Sequence, residues 1–267
     1  MSLAVVTGCG DLPSILLKKM NNIDFIIIDL LKDREENSFN NCRRYYKMQY
    51  INIKSIIDIL IRENIRSCLF LGKIDKSVLY KNSEGLDNYT LQFVQEMENW
   101  RDGTILMALV SILERMDIKL EKQTDFLYSL LAENIVYSKR QPSAKELNNI
   151  RFGYRVAKEL TKMNIGQTVV VKNGVILAVE ALEGTDESIK RGGSLGGGSS
   201  IVVKVANSEF DERFDVPAIG INTLETMLKY NCSGLAIEAE KLFIINKEEI
   251  INFVDSNNMV FLGYKEA

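Results

Sequence analysis

The part of the chain richest in chemically active side chains is the run DERFD at 211–215, which ends at Val216-Pro217. Its charges are spaced too irregularly for a surface helix, and loops that leave strands are the usual location of catalytic groups. The carboxylates of Asp211 and Asp215 could orient a water molecule or bind Mg²⁺, a hard cation that prefers oxygen ligands. Arg213 could neutralise negative charge on phosphoryl oxygens. We therefore take Asp211, Asp215 and Arg213 as the candidate catalytic residues.

A second acidic turn follows a predicted strand in the same half of the chain. Glu183 and Asp186 flank Thr185 in this turn, and Arg191 and Lys204 follow as cations. Interleaved carboxylates and cations suit phosphate chemistry, in which one set holds a metal ion and the other binds phosphate oxygens. They suit a solvated acidic surface about as well, with Glu183 or Asp186 capping the next helix. The candidate Mg²⁺ ligands are Asp186, Glu183, Asp211 and Asp215, and the candidate substrate-binding residues here are Thr185, Arg191 and Lys204.

A glycine loop, GCGDLP at 8–13, follows the first predicted strand and precedes a predicted helix. Backbone N–H groups and a helix N-terminus at such a position can bind phosphate. A dinucleotide fingerprint has a third glycine where this chain has Pro13, which disfavours NAD, so a structural turn and a phosphate site remain the main alternatives. The candidate substrate-binding residues of this half are Gly8, Gly10, Asp11 and Lys73.

The chain contains no histidine among its 267 residues. This excludes Ser-His-Asp and Cys-His nucleophile pairs and every zinc site that needs histidine. With 33 basic and 36 acidic side chains, the net charge of −3 gives no general attraction to nucleic acid, which we do not expect as a partner. The four cysteines form no CxxC pair, so we expect reduced thiols in a cytoplasmic protein. We predict neither a signal peptide nor an apolar run near the roughly 20 residues of a membrane span.

Strand and helix signals alternate in the first half. Strands are predicted at 4–6, 25–29, 68–71 and 118–120, and helices at 14–20, 53–61, 90–99 and 104–116. This alternation indicates a parallel sheet with helices on its faces, and therefore an α/β, Rossmann-like N-terminal domain over 1–133. The pattern breaks over 134–143, which we interpret as a linker.

The second half has a different pattern, typical of a mixed α+β domain over 144–267. Pro142-Ser143 should open a long helix over 144–163, and Asn173-Gly174 is a strong hairpin signal. The glycine-rich stretch 192–198 is more often a flexible loop than a phosphate-binding loop or a lid. Strands are predicted at 167–171, 175–181, 201–205, 235–238, 242–245 and 259–263, with antiparallel pairing, and helices at 223–230 and 247–255.

Six motifs follow one another in the order in which one known family carries them. They are GCGDLP (8–13), Gly72-Lys73, IGQTVVV (165–171), AVEALEGTD (178–186), VK (203–204) and DERFDVPAIG (211–220). These resemble the GxGxLP, GKV, GQ-VVV, AVEA-EGTD, VK and D-R-DLPTIG motifs of the LpxI-type UDP-2,3-diacylglucosamine pyrophosphatase family. The chain departs from that family at 206–210, where a Lys-Pro and a glutamine are usual, and at Ala218, where threonine is usual.

The resemblance implies a cytoplasmic enzyme of lipid A synthesis. Such enzymes split the diphosphate of UDP-2,3-diacylglucosamine into UMP and 2,3-diacylglucosamine 1-phosphate with the support of Mg²⁺. The resemblance also implies a Rossmann-like N-terminal domain and a C-terminal domain of unusual fold, with the lipid-nucleotide between them. Asp211 and Asp215, helped by Asp186 or Glu183, would then bind Mg²⁺ or orient the attacking water.

Other functions and partners stay open. Rival functions are an NAD-linked oxidoreductase with Asp29 as the ribose acid, and a non-catalytic sugar-nucleotide-binding module. Apolar surface on the helix at 104–116 could line a chamber for the acyl chains or make peripheral contact with the inner membrane, although an ordinary core helix is the more common use of such a pattern. A homodimer is one assembly that the sequence leaves open.

Overall fold

The computed structural model describes residues 2–10, 12–20, 23–31, 42–48, 52–72 and 110–266. The chain forms two compact units, which we call unit 1 (Met1–Leu127 with Glu212–Asp215) and unit 2 (Tyr128–Asp211 with Val216–Ala267). The segment predicted as a linker, 134–143, lies within unit 2. There Val136 forms a β-bridge with Leu262, and Arg140 donates hydrogen bonds to the carbonyl oxygens of Asn258 and Ser233.

Unit 1 contains a five-stranded parallel sheet with the order β3-β2-β1-β4-β5. The strands are β1 (Leu3–Thr7), β2 (Phe25–Asp29), β3 (Arg44–Lys47), β4 (Ser67–Leu71) and β5 (Lys119–Leu120). The central strands β1 and β2 are buried along their whole length, as expected for a parallel sheet covered on both faces. The edge strand β3 has the sequence RYYK, whose exposed charged ends protect the sheet edge.

The helices of unit 1 confirm the predicted alternation. They include α1 (Leu12–Lys19), α2 (Ile53–Arg62) and α3 (Gln123–Leu127), and residues 110–115 are also helical. Pro13 lies in the first turn of α1, where its missing N–H removes no intrahelical hydrogen bond. The Asn52 side chain caps α2 by accepting a hydrogen bond from the Ser55 N–H at 2.9 Å. The predicted helix at 90–99 lies outside the described residues.

Unit 2 contains a five-stranded mixed sheet with the order β12-β10-β8-β6-β7. Its strands are β6 (Thr168–Lys172), β7 (Val175–Val179), β8 (Ser200–Lys204), β10 (Cys232–Glu238) and β12 (Val260–Tyr264). A separate parallel pair joins β9 (Ala218–Ile219) to β11 (Phe243–Ile244). The antiparallel pairing predicted from the sequence holds for β6 with β7 and β8, whereas β8, β10 and β12 are parallel.

The helices of unit 2 are α4 (Ala144–Lys162), α5 (Thr185–Gly196), α6 (Ile221–Lys229) and α7 (Lys247–Ser256). The predicted start of α4 is confirmed, because Ser143 forms a capping box with Glu146. The predicted hairpin is also confirmed. Asn173 and Gly174 have φ angles of 52° and 75°, the left-handed conformation that a tight type I′ turn needs.

The glycine-rich stretch 192–198 is a correction to the sequence prediction, because residues 192–196 form the C-terminal part of α5 rather than a loop and only residues 197 and 198 follow the helix. A Cβ atom at Gly192 would lie 2.5 Å from Val170 Cβ, and one at Gly193 would lie 2.6 Å from the Tyr230 carbonyl oxygen. Glycine therefore allows α5 to pack directly on the sheet. The helix ends at Gly196, and Gly197 caps it with a left-handed φ of 59°.

Strand direction brings the polar ends of several strands to one side of unit 2. Because β7, β8, β10 and β12 run in the same direction, their carboxyl ends lie at one edge of the sheet, which we call the carboxyl edge. Lys204 ends β8 and Glu238 ends β10 at this edge. Among the residues that the structure describes, no helix is long and apolar enough to cross a membrane.

Candidate active site

Three side chains at the carboxyl edge form a chain of hydrogen bonds. Lys204 Nζ donates to Thr185 Oγ1 at 2.8 Å, and the Thr185 hydroxyl donates to Glu180 Oε1 at 2.8 Å. Glu180 Oε2 also accepts a hydrogen bond from the Gln167 N–H at 3.3 Å. These hydrogen bonds hold the Lys204 ammonium group beside Thr185, the first residue of α5. The structure therefore brings together two predicted substrate-binding residues, Lys204 and Thr185.

The start of α5 adds positive electrostatic potential at the same place. Gly184 is the N-cap residue of the helix and has a φ of 86°, a conformation that favours glycine. No side chain of the described residues caps the helix N-terminus by a hydrogen bond. The first N–H groups of a helix have no intrahelical acceptor, and the helix dipole favours an anion near them. Lys204 and the N-terminus of α5 are thus suited to the oxygens of a phosphate group.

Thr168 contributes a buried hydroxyl group on the same face. It is directly paired with Lys204 across β6 and β8, so the two side chains lie on one face of the sheet. Thr168 is 1% exposed, and its Oγ1 atom has no hydrogen-bond partner among the residues that the structure describes. A buried hydroxyl without a partner costs free energy, which a bound polar group or a water molecule would recover.

The acidic turn is held by two contacts within unit 2. Arg191 Nη2 lies 2.7 Å from Glu183 Oε1 and also donates to the Val179 carbonyl oxygen at 2.8 Å. A hydrogen bond from its own backbone N–H and the Arg191 guanidinium together lower the pKa of the Glu183 carboxyl, which therefore stays ionised. Asp186 Oδ1 accepts a hydrogen bond from Thr223 of α6 at 3.2 Å. Neither carboxylate caps α5.

The DERFD run divides between the two units, with Asp211 in unit 2 and residues 212–215 in unit 1. Within unit 1, the carbonyl oxygen of Glu212 accepts from the Gln123 N–H at 2.7 Å, and its carboxylate lies 2.6 Å from Lys122 Nζ. Arg213 lies 3.8 Å from Glu114, and Phe214 packs against the hydrophobic core of unit 1. Within unit 1, Arg213 therefore has Glu114 as an acidic neighbour, and its catalytic role stays a prediction.

The N-terminal glycine loop is packed tightly against the end of β4. The Gly8 N–H donates to the Leu71 carbonyl oxygen at 2.7 Å, and a Cβ atom at Gly72 would lie 2.4 Å from the Cys9 carbonyl oxygen. These contacts favour the structural interpretation at Gly8. Gly10 has a φ of 101° with open space around it, whereas Asp11 and Lys73 lie outside the described residues.

The carboxylate of Asp29 accepts hydrogen bonds from three groups of unit 1. It is completely buried, and the donors are the Thr7 hydroxyl at 3.0 Å, the Leu31 N–H at 3.1 Å and the Tyr45 hydroxyl at 2.7 Å. A ribose acid of a dinucleotide site would instead present its oxygens to the ligand.

The four carboxylates predicted as Mg²⁺ ligands are divided between the two units, with Asp215 in unit 1 and the other three in unit 2. Among the described residues of either unit, no three His, Cys, Asp or Glu side chains are placed to hold a metal ion. Glu183 and Asp186 contact Arg191 and Thr223 instead. Mg²⁺ that is held mainly by substrate phosphates needs only one or two protein carboxylates, and such binding requires no preformed cluster.

Glu180 was not among the residues selected from the sequence, although it lies within the AVEA motif. A strand-ending acid that is followed five residues later by the first residue of a helix is the signal that could have identified it. Its role becomes evident only when Thr185 and Lys204 are seen next to it.

Comparisons with known proteins also divide the chain into two successive parts. Residues 2–130 match the family model described as the LpxI N-terminal domain, and residues 133–262 match the LpxI C-terminal domain. A protein of Caulobacter vibrioides named UDP-2,3-diacylglucosamine pyrophosphatase LpxI is 25% identical over 205 residues, which are 73% of this chain and 72% of that protein.

Proposed function

Because the chain belongs to the LpxI family, we propose that it hydrolyses the diphosphate of UDP-2,3-diacylglucosamine to UMP and 2,3-diacylglucosamine 1-phosphate. In this reaction a water oxygen forms a bond to one phosphorus atom, and the bridging P–O bond on that phosphorus breaks. The reaction belongs to lipid A synthesis. The observation that carries the proposal is the ammonium group of Lys204, held by Thr185 at the N-terminus of α5.

Lys204 and the first turn of α5 bind the diphosphate and stabilise the negative charge that grows on its oxygens. Electrostatic stabilisation of this kind is usually the largest contribution to phosphoryl transfer. Glu180 accepts the hydrogen of the Thr185 hydroxyl, so that the Thr185 oxygen accepts from the Lys204 ammonium group and holds it beside the first turn of α5. The Thr168 hydroxyl supplies a further polar contact on the same face.

Asp211 orients the attacking water and accepts a proton from it, with Asp215 as its partner in the DERFD run. A carboxylate is suited to this role in a chain without histidine. Mg²⁺ belongs to the proposal as an ion carried by the diphosphate, where it would neutralise phosphate charge with a carboxylate such as Asp211 as a ligand. The reaction takes place in the cytoplasm, with peripheral contact at the inner membrane where a diacylated substrate resides.

The test is UMP release from UDP-2,3-diacylglucosamine by the purified protein and by Asp211→Ala and Asp215→Ala. Glu209→Ala is the matched control, because Glu209 is an exposed acid of the same segment. We expect loss of UMP release in at least one aspartate variant and wild-type rates in the control. Full activity in both aspartate variants contradicts the assignment, and tight binding of the substrate without turnover by the wild type favours a binding module.

A second experiment addresses the metal ion. UMP release is measured after removal of divalent cations with a chelator and again after stepwise addition of MgCl₂. The proposal expects activity to return at Mg²⁺ concentrations that follow the substrate concentration, since the ion is carried by the diphosphate. Full activity in the chelator would remove Mg²⁺ from the proposal without affecting the role of Lys204.

A further inference from the structure

Glu238 is a buried carboxylate at the carboxyl edge that the mechanism above does not use. It ends β10 with a side chain that is 4% exposed. Lys158 Nζ lies 3.2 Å from both of its oxygens, and Lys241 Nζ lies 3.2 Å from Oε1. The Tyr154 hydroxyl donates to Oε1 at 3.2 Å. Glu238 therefore lies in a cluster of two lysines and a tyrosine contributed by α4 and by the turn after β10.

The same cluster binds the backbone of Ala206, the residue at which the chain has just left β8. The Ala206 N–H donates to Glu238 Oε2 at 2.9 Å, and Lys158 Nζ donates to the Ala206 carbonyl oxygen at 3.3 Å. One ion pair thus binds both polar groups of a single peptide residue, which is itself completely buried. Two residues further on, the Ser208 hydroxyl donates to the Thr161 carbonyl oxygen at 3.2 Å.

We propose that Glu238 and Lys158 are positioning residues that fix the path of the segment leading from Ala206 to Asp211. This inference rests on the proposed role of Asp211 in the reaction. Ala206 lies five residues before Asp211, so the direction in which the chain leaves β8 determines where the Asp211 carboxylate can be placed. Neither residue touches the substrate in this account.

The energetics of the cluster support a role beyond stability. Burying an ion pair is expensive, and apolar residues of similar volume often serve stability equally well or better. An ion pair, however, has directional hydrogen bonds, which apolar side chains cannot supply to the N–H and carbonyl groups of Ala206. The charged pair therefore specifies one conformation of the chain at this point, at a cost in stability.

The charge state of Glu238 is consistent with the pair of Glu238 and Lys158 bound to the backbone of Ala206, which we call the clamp. Burial alone would raise the pKa of the Glu238 carboxyl, but the Ala206 N–H, Lys158 and Lys241 outweigh burial and lower that pKa below its ordinary value. Burial, together with the charge of Glu238, raises the pKa of the Tyr154 hydroxyl, which remains a neutral donor. The Glu238 carboxyl is thus ionised throughout the physiological pH range.

The test compares the wild type with Glu238→Gln and with the double variant Glu238→Leu/Lys158→Met, which replaces the ion pair by apolar side chains of similar size. We expect kcat for UMP release to fall roughly 10- to 100-fold in both variants with little change in KM, because Lys204 and Thr185 are untouched. The double variant should keep or regain the thermal stability of the wild type. Glu240→Gln is the control, because Glu240 is exposed and pairs with Lys265 at 2.6 Å.

Amide hydrogen exchange of the peptide at 206–217 provides a readout that does not depend on the reaction. We expect faster exchange of this peptide in both clamp variants than in the wild type and in Glu240→Gln. Unchanged exchange in both clamp variants overturns the inference, even if the protein proves to have no UMP-releasing activity. A double variant that regains both stability and wild-type kcat also overturns it, since the ion pair would then have served stability alone.

Discussion

Replacing Gly192 by alanine tests how closely α5 must approach the sheet that carries the candidate site. A Cβ atom at Gly192 would lie 2.5 Å from Val170 Cβ and 2.7 and 2.8 Å from the two Val170 methyl groups. Carbon atoms pack at about 3.5–4.0 Å, so helix and strand would have to separate by about 1 Å. Val170 has little freedom to yield, because it is completely buried in β6 and its branched side chain has few rotamers.

The expected magnitude follows from two opposing terms. Alanine is better than glycine in a helix by about 1 kcal/mol, whereas overpacking a core costs about 1–3 kcal/mol. We expect Gly192→Ala to lower the free energy of unfolding, by up to about 2 kcal/mol. Gly196→Ala is the matched control in the same helix. Its new Cβ atom meets the Cδ1 end of the flexible, half-buried Leu177 side chain at 2.8 Å, which can rotate away, so stability should stay unchanged or rise.

Urea unfolding followed by circular dichroism measures the difference in the free energy of unfolding between the two variants. Their m-values are compared in the same experiment. The first residue of α5 is Thr185, so a displacement of about 1 Å in this helix should also lower kcat/KM for UMP release, by up to about 100-fold. If Gly192→Ala is as stable and as active as Gly196→Ala, the argument that glycine sets the spacing between α5 and the sheet is refuted.

Two further predictions concern single polar groups. Thr168→Val removes a buried hydroxyl that has no hydrogen-bond partner within the described part of the chain, so we expect the free energy of unfolding to be unchanged or higher while KM for the substrate rises. An unchanged KM would mean that the hydroxyl does not contact the ligand. Glu238 has a lowered pKa in the folded protein, so its stabilising contribution is complete above the ordinary glutamate pKa of about 4.3 and disappears as the pH falls through the lower folded value. The stability difference between the wild type and Glu238→Gln, measured by urea unfolding from pH 7 to pH 3, should therefore shrink at the acidic end; a constant difference across that range would contradict the linkage.

Local signals predicted much of the fold. The turn at Asn173-Gly174 and the capping box that starts at Ser143 depend on residues within four positions of each other, and both are confirmed. The strand β3 gave no apolar signal, because its sequence RYYK is that of an exposed edge. The glycines of α5 were misleading for a different reason: intrinsic propensity disfavours a helix there, and packing against Val170 overrides it.

The candidate site was predictable only in part, because it depends on contacts between distant residues. Lys204 and Thr185 could be selected from charge and motif, but their hydrogen bond and its extension to Glu180 follow from the pairing of strands. The grouping of residues 212–215 with unit 1 depends on contacts with residues about 90 positions earlier, such as Gln123, and no local pattern signals it. The clamp at Glu238 arises in the same way, from α4, β8 and β10 together.

We propose that the carboxyl edge of unit 2 binds and activates the diphosphate through Lys204. This proposal is tested most directly by kcat/KM for UMP release in Lys204→Met, with Lys190→Met as a control, because Lys190 is an exposed lysine of α5 that pairs with Glu187 at 3.4 Å. We expect a loss of about 100-fold or more for Lys204→Met, as for removal of a group that stabilises transition-state charge, and wild-type rates for the control. A Lys204→Met variant with kcat/KM close to that of the wild type would contradict the proposal.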